Sequence, residues 1–370
     1  MAPTLQAEAL VARLDLISVE DKAGAKGLKK IGTHNGTFQC DEALACAMLL
    51  TLPGYVADVE LVRTRDPEEL AKCDLVVDVG GVYDHGKLRY DHHQREFAET
   101  MTELNRNVKL SAAGLVYRHY GKEVLQSICK AIEANPPAGF VPVPEALMPK
   151  LYEKMYLGFM EHVDGIDNGV NPFDGNQVYR VTTSLSARVG RLNPSWNEDY
   201  SKISGGENAF RNNRFREAMK LVLTEFIQHF EDMVTSWWPA RAIVEQALTA
   251  EARKAVHPSG KVAVLPSFCP WQSHLFDLEK EGFGGLTQGE VLYMLFPDSS
   301  GSYRIQAVPV EDGGFANRKP LPEPWRGMRD EKCSEVSGVP DCIFVHTGGF
   351  IGGNKTLDGA KAMAAKAVEF

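Results

Sequence analysis

Histidines and aspartates gather at four places in the first half of the sequence. They are His34 with Asp41, Asp78 alone in an apolar segment, Asp91-His92-His93, and Asp164 with Asp167. Carboxylates and imidazoles without a thiolate are ligands for Mn²⁺ or Mg²⁺, and the imidazoles favour manganese. Two such ions sharing one aspartate would activate a water and neutralise a phosphoryl group. The pattern therefore predicts a two-metal site for phosphoryl hydrolysis.

Each cluster also has a structural interpretation. Asp41 suits the first turn of a helix, because carboxylates there complement the helix dipole. Asp78 is the strongest candidate, since a carboxylate inside the apolar segment 75–79 costs free energy unless it is paired or bound to a metal. The following Gly80-Gly81 is not a dinucleotide-binding fingerprint, because the GxGxxG spacing is absent.

A second candidate site lies near the C-terminus, where a glycine-rich segment precedes the last predicted helix. Glycines let backbone N–H groups approach a phosphate, and the helix N-terminus and Lys355 add positive potential. The residues of this segment expected to contact substrate are His346, Gly348, Gly349, Gly352, Gly353, Asn354 and Lys355. Arg188 and Arg191, near the end of the first lobe, are further candidates for contact with substrate. The alternative is a glycine-rich turn required for packing.

These clusters need a scaffold, and the pattern of elements predicts an α/β fold with two lobes. Strand, helix, strand, helix, strand over residues 30–79 indicates a parallel sheet, where sites gather at the strand ends. We predict an N-terminal extension over 1–29, a metal-binding catalytic domain over 30–205, a helical connector over 206–256 and a smaller substrate-binding domain over 257–370.

Composition limits the classes of function. A net charge of −9, from 49 acidic and 40 basic residues, argues against a protein that coats polyanions, although bound cations would reverse the local sign. Apolar runs are too short for a membrane span, so no membrane partner is expected. Seven cysteines without CxxC spacing fit an intracellular compartment, and the N-terminus carries no clear targeting segment.

Several longer motifs resemble the melanocyte-proliferating-gene family, eukaryotic RNA exonucleases of the DHH phosphoesterase superfamily. The motifs are His34-Asn-Gly-Thr-Phe-Gln-Cys-Asp41-Glu-Ala, Arg63-Thr-Arg-Asp66-Pro, Tyr90-Asp-His-His-Gln, Thr183-Ser-Leu-Ser-Ala-Arg188-Val-Gly-Arg191-Leu-Asn and Gly349-Phe-Ile-Gly-Gly-Asn354-Lys355. The resemblance runs from about Lys30 to the C-terminus.

The resemblance implies roles for individual residues. His34, Asp41, Asp78, His92 and either Asp164 or Asp167 would hold the two ions, with Asp78 bridging them. Asp91 would orient His92, His93 would face the scissile phosphate, and Lys355 would help stabilise the developing charge. The chain departs from the family at Gln39, where the family carries a histidine. Glutamine offers a neutral oxygen and is a weaker ligand for Mn²⁺, so Gln39 predicts reduced metal affinity.

The prediction is a two-metal 3′–5′ exonuclease that hydrolyses single-stranded RNA or short oligonucleotides in a cleft between the lobes. The polarity, and a location in the nucleus or mitochondrion, come from the resemblance alone. The alternatives are a phosphohydrolase acting on pyrophosphate or a dinucleotide, and a catalytically weak RNA-binding protein. The sequence leaves the oligomeric state open, a homodimer included.

Overall fold

The computed structural model describes residues 5–24, 27–55, 59–137 and 139–370, and it divides into two compact units, 1–234 and 235–370. Both units combine helices with a sheet, so the predicted two-lobed α/β class is confirmed. Part of the predicted N-terminal extension, residues 1–4 and 25–26, lies outside the described residues. The helices predicted as a connector fall on both sides of Val234.

The first unit is built on a mostly parallel sheet. Its strands are β1 (Ser18–Glu20), β2 (Lys29–Thr33), β3 (Val59–Arg63), β4 (Leu75–Val77), β5 (Tyr83–Asp84) and β6 (Arg89–Tyr90). They are arranged in the order β1-β3-β2-β4-β6-β5, and the β5–β6 pair is antiparallel while the other pairs are parallel. Because β1 pairs with β3, the segment preceding residue 30 contributes a strand to this sheet.

The helices of the first unit cover the sheet and carry part of the site. They are α1 (Leu5–Ala12), α2 (Cys40–Leu49), α3 (Pro67–Leu70), α4 (Ala112–Ala134), α5 (Met148–Met155), α6 (Glu161–Asp167), α7 (Leu185–Gly190) and α8 (Gly206–Asp232), and a π-helical turn (Tyr156–Met160) joins α5 to α6. Every residue of α2 is buried, and this helix packs against α4 and α8. A helix that is apolar on nearly all sides requires such a position in the core.

The second unit has a mixed sheet. Its strands are β7 (Val262–Val264), β8 (Tyr293–Pro297), β9 (Tyr303–Ala307), β10 (Cys342–Val345) and β11 (Ile351–Asn354). Its helices are α9 (Trp238–Leu248), α10 (Ala250–Val256), α11 (Gln272–Glu281), α12 (Asp330–Ser337) and α13 (Leu357–Glu369). The sheet order is β10-β11-β9-β8-β7, with β7 and β8 parallel and the other pairs antiparallel.

Among the described residues, no helix combines the length and the apolar character that crossing a bilayer requires.

Candidate metal centre

Three neighbouring strands of the first unit deliver their following residues to one edge of the sheet. His34 comes directly after β2, Asp78 directly after β4, and Asp91 directly after β6. Because these strands are parallel neighbours, their carboxyl ends meet at the same edge. The loop after β2 then enters α2, which begins with Cys40 and Asp41. The predicted clusters therefore converge through the topology of the sheet.

Asp78 lies at the centre of the cluster. Its Oδ2 atom is 3.3 Å from Nε2 of His34, and its Oδ1 atom is 3.3 Å from Nε2 of His92. Burial raises the pKa of the Asp78 carboxyl, but contacts with His34 and His92 outweigh burial and leave the pKa below its ordinary value. The residue has a φ of 57°, in the left-handed region, and its backbone N–H donates to the carbonyl of Tyr90 at 3.0 Å. This turn of the backbone places the carboxylate between the two imidazoles.

His92 also faces two further carboxylates. Its Nε2 atom is 3.3 Å from Oδ2 of Asp167 and 3.9 Å from Oδ2 of Asp41. Asp41 is 1% exposed, and neither of its carboxylate oxygens accepts a hydrogen bond from any described residue. Burial, followed by the charges of Asp78 and Asp167, raises the pKa of the Asp41 carboxyl well above its ordinary value. Buried carboxylates without donors cost free energy that a bound cation would remove.

Glu42 belongs to the cluster although sequence reasoning did not select it. Its Oε1 atom is 3.0 Å from Nε2 of His34, and its side chain is fully buried. Burial lowers the pKa of His34, but Asp78 and Glu42 outweigh that effect and raise it to about 10. Glu42 accepts the backbone N–H of Gln39 at 2.8 Å, which fixes the carboxylate at the start of α2. The sequence signal was present, because Glu42 occupies the third helical position, from which a glutamate reaches back to the residue before the helix.

Asp91 orients His93, which differs from the predicted pairing with His92. Oδ1 of Asp91 is 2.7 Å from Nδ1 of His93 and also accepts the His93 backbone N–H at 3.1 Å. Oδ2 accepts the N–H of Gly81 at 2.6 Å. Both oxygens are therefore occupied, while His92 turns toward Asp78. The His93 side chain is 60% exposed and presents the rest of its ring to solvent.

Asp164 and Asp167, both on α6, have different surroundings. Asp167 lies beside His92, whereas Asp164 accepts hydrogen bonds from the N–H and hydroxyl of Ser111, at 3.0 and 2.8 Å. The Tyr156 hydroxyl donates to the other Asp164 oxygen at 3.1 Å. Since Ser111 is the residue that caps α4, Asp164 ties α6 to the start of that helix. The sequence spacing left both residues open as ligands, and the structure brings only Asp167 to the cluster.

Asp164 gives the protein a testable pH dependence of stability. Burial is the main cause that raises the pKa of this carboxyl from 3.8 to about 7. A folded-state pKa above the unfolded value means that protonation favours folding, so this contribution is complete below the unfolded pKa and is lost as pH rises through about 7. The wild-type free energy of unfolding should therefore decrease between about pH 5 and pH 8. In Asp164→Asn this decrease should be smaller by on the order of 1–3 kcal/mol.

Urea unfolding at both pH values measures this difference. The exposed control Asp330→Asn should keep the wild-type pH dependence, because its carboxylate is on the surface. A wild-type slope in the Asp164→Asn protein would show that Asp164 does not titrate in this range.

The loop between His34 and Asp41 is fixed by a residue far away in the sequence. Asn193 accepts the backbone N–H of Phe38 at 3.0 Å and donates its side-chain amide to the Phe38 carbonyl at 2.8 Å. Gln39, the next residue, has an exposed side chain and directly precedes α2. The two hydrogen bonds of Asn193 therefore set the position from which Gln39 and Asp41 enter the site. No spacing rule in the sequence could have linked positions 155 residues apart.

The two predicted substrate-binding arginines of the first unit have intramolecular partners. Arg188 forms an ion pair with Glu225 at 2.6 Å, and both side chains are about two-fifths exposed. Arg191 donates to the carbonyl of Thr182 at 2.9 Å. Both guanidinium groups retain further donors, so contact with phosphate stays a prediction for them.

The glycine-rich segment of the second unit forms a β-hairpin where a loop was predicted. Gly352 and Gly353 lie in β11 and pair with both β9 and β10, so this part of the segment is regular sheet. A Cβ atom on Gly352 would lie 3.1 Å from the carbonyl oxygen of Phe344 on the paired strand β10, so the backbone leaves little room for a side chain there. The turn between the strands contains the exposed residues His346 and Gly348 together with Gly349, which has a φ of 70°.

Asn354 and Lys355 end this hairpin in different environments. Asn354 is fully buried, where its amide donates to the carbonyl of Pro340 at 2.8 Å and its oxygen accepts the N–H of Thr356 at 3.0 Å. The Asn354 side chain therefore stabilises the start of α13, where Thr356 is the capping residue. The Lys355 side chain is 67% exposed and its Nζ atom is 3.6 Å from the Asp341 carboxylate. Binding of substrate by this segment stays a prediction.

The donor atoms of the cluster fit divalent cations. They form three overlapping groups, and within each group the atoms lie within 4.8 Å of one another: Asp78 with His92 and His93, His34 with Glu42 and Asp78, and Asp41 with His92 and Asp167. Asp78 and His92 each belong to two groups. A mixed set of carboxylates and imidazoles suits a divalent first-row metal, and several of these groups have atoms with no hydrogen-bond partner among the described residues.

Residues 30–368 match the profile of MYG1_exonuc, described as an uncharacterised protein family, UPF0160. Curated relatives cover most of the chain. A human protein named MYG1 exonuclease is 48% identical over 342 residues, which are 90% of this chain and 84% of the human one. A bovine protein of the same name is 47% identical over 341 residues, or 90% and 83% of the two chains. A MYG1 protein of Dictyostelium discoideum is 42% identical over 338 residues, or 91% and 95%.

Proposed function

Because this chain belongs to the MYG1 exonuclease family, as its motifs predicted, we propose that it is a metal-dependent phosphodiesterase that removes nucleotides from an end of single-stranded RNA. Its relatives carry the name exonuclease, which supports a hydrolase acting on nucleic acid. The observation that carries the proposal is the buried group of carboxylates around Asp78. Two imidazoles contact Asp78, and no described residue donates a hydrogen bond to the Asp41 carboxylate.

The donor groups support a proposal of two cation positions. His34, Glu42 and Asp78 would hold one cation, and Asp41, His92 and Asp167 would hold the other. We assign Asp78 as the residue between them, because its two oxygens face different imidazoles. Divalent cations there would supply an activated water and neutralise charge on the phosphodiester. Manganese suits the imidazoles better than magnesium.

His93 is the residue that we assign to the scissile phosphate. Asp91 holds its Nδ1 atom, so Nε2 is the nitrogen left to contact a phosphate oxygen. The exposure of the ring permits that contact. Arg188, Arg191 and Lys355 remain candidates for further phosphate contacts, since cationic side chains stabilise the charge that develops in phosphoryl transfer.

One assay separates the proposal from its alternatives. End-labelled single-stranded RNA, pyrophosphate and a dinucleotide are incubated with Mn²⁺, Mg²⁺ or EDTA. We expect stepwise shortening of RNA with Mn²⁺ and none with EDTA. Hydrolysis of pyrophosphate or the dinucleotide alone would indicate a small-molecule phosphohydrolase, and RNA binding without hydrolysis would indicate a binding protein. Labelling each end in turn tests the 3′–5′ polarity, and microscopy of the tagged chain tests a nuclear or mitochondrial location.

Substitution of Gln39 should raise the hydrolytic activity, whereas most substitutions at a metal centre lower it. The residue directly precedes α2, and its backbone N–H contacts Glu42 of the cluster. A histidine there would add an imidazole beside the proposed cations. Gln39→His should therefore raise activity at limiting Mn²⁺ by about 10–100-fold, the range that changes around metal ligands produce.

A titration of activity against Mn²⁺ concentration measures the effect of this substitution, and Gln126→His, at an exposed position of α4, provides a control for an added imidazole elsewhere. Equal activity of Gln39→His and wild type at limiting metal would exclude position 39 from the site.

A further inference from the structure

A cavity of about 300 Å³ opens beside the metal centre in the first unit. One wall is the loop of residues 35–37, which follows His34 directly. Asp21, directly after β1, Arg63, at the end of β3, and the first turns of α8 form the rest of the lining. Since β3 is the strand next to β2, the cavity and the metal centre lie at neighbouring positions along the same edge of the sheet. A volume of this size accommodates a small polar molecule.

The loop of residues 35–37 separates the cavity from the metal centre and contacts residues of both. The ring of His34 contacts the carbonyl of Asn35 through Nδ1 at 3.1 Å, and Asn35 lines the cavity. Arg63 donates to the carbonyl of Gly36 at 3.0 Å and holds the same loop from the cavity side. Successive Cα atoms are about 3.8 Å apart, so His34 and the cavity wall are within the reach of one nucleotide.

The charges of the lining do not favour a phosphate. Two arginines, Arg63 and Arg211, are matched by two carboxylates, Asp21 and Glu207. Arg211 is paired with Glu207, at 2.7 Å between Nη2 and Oε1. The terminal nitrogens of Arg63 already donate to Gly36 and, at 3.2 Å, to Asn212. A phosphate placed here would lie beside the carboxylates of Asp21 and Glu207, which would repel it.

The lining instead offers donors and acceptors side by side. The side chains of Asn35 and Asn208 provide amide hydrogens and carbonyl oxygens, Thr37 provides a hydroxyl, and Glu207 provides carboxylate acceptors. Nucleobases present the same alternation of donors and acceptors along their edges, and amides, carboxylates and guanidinium groups are the side chains that read them. An uncharged ligand with such an edge suits a lining whose charges balance.

We propose that this cavity binds the nucleobase of the nucleotide next to the scissile phosphodiester. The inference rests on the proposed function, because the base can lie there only if its phosphate is at the metal centre. Recognition of a base at this position would set the register of the strand, so that one phosphodiester at a time reaches the cluster.

The test uses two double variants on α8. Asn208→Ala/Arg211→Ala removes two lining side chains, while Asn213→Ala/Arg214→Ala removes the same residue types from exposed positions outside the cavity lining. Binding of 5′-mononucleotides, which contain no phosphodiester bond to hydrolyse, and of ribose 5-phosphate is measured by calorimetry with Mn²⁺ on the full chain, after circular dichroism has shown that both variants are folded.

We expect the cavity variant to weaken mononucleotide binding about tenfold or more, the loss that two hydrogen bonds to a ligand produce, with ribose 5-phosphate binding unchanged. The control variant should bind both ligands like wild type. Equal weakening of ribose 5-phosphate would show that the cavity holds a phosphate, and unchanged mononucleotide binding would show that it holds no base. Either result overturns the inference.

This experiment is independent of catalysis. If the chain hydrolyses no RNA but binds mononucleotides through Asn208 and Arg211, the proposed function fails and the cavity assignment stands. If RNA is hydrolysed and the cavity variant binds mononucleotides like wild type, the proposed function stands and the cavity assignment fails.

Discussion

Asp78→Asn should abolish most of the hydrolytic activity while leaving the fold intact. The carboxylate is the one that contacts both His34 and His92, so its loss removes the charge between the two proposed cation positions. Removal of residues that only support metal ligands already costs about 10–100-fold, and a direct ligand should cost at least ~100-fold in kcat/KM. The fold should survive because asparagine, like aspartate, tolerates the left-handed conformation that this position requires.

The measurement is hydrolysis of end-labelled RNA at several Mn²⁺ concentrations, together with the urea midpoint of each protein. Asp330→Asn is the matched control, because Asp330 is an exposed aspartate that also has a positive φ. It should retain wild-type activity. Activity of Asp78→Asn within threefold of wild type at limiting metal would remove Asp78 from the centre.

Gly114→Ala should be among the most destabilising single changes in the first unit. Gly114 lies in the first turn of α4, and a Cβ atom there would overlap Oδ1 of Asp164 and lie 2.6 Å from Oδ2. The carboxylate cannot withdraw without losing its bonds to Ser111 and Tyr156. Overpacking of this kind costs about 1–3 kcal/mol or more, even though alanine is the better helix former.

Gly165→Ala tests whether that loss comes from the contact with Asp164. Gly165 is also within a helix, and the nearest atom to its Cβ would be Cγ1 of Val108 at 3.9 Å, an ordinary contact. This control should be neutral or slightly stabilising, by about 0.5–1 kcal/mol. Equal urea midpoints for the two variants would mean that the Asp164 carboxylate moves freely.

The sequence predicts the position of a residue best where that residue directly follows a buried strand. Asp78 after an apolar strand and the Asp91-His92-His93 cluster lie beside one another, because parallel strands bring their carboxyl ends together. The long motifs also predicted the family, and the alternation of strands and helices predicted the two-lobed α/β class. These features are local in sequence or follow from general rules of sheet topology.

Features that depend on distant contacts could not be predicted. The position of Glu42 in the sequence indicates a residue that caps α2, and only the structure places its carboxylate 3.0 Å from His34. Asp164 and Asp167 are equally acidic in sequence, and only the positions of Ser111 and His92 separate them. The glycines of β11 resembled a phosphate-binding loop, because the pairing with β9 and β10 that makes them regular sheet involves residues up to about fifty positions earlier.

The central claim is that the cluster around Asp78 binds two divalent cations. Anomalous X-ray scattering at the manganese edge, from crystals grown with Mn²⁺, tests it most directly. We expect two peaks that share Asp78, one beside His34 and Glu42 and the other beside Asp41, His92 and Asp167. An absence of manganese from these residues, or a single ion that does not touch Asp78, would contradict it.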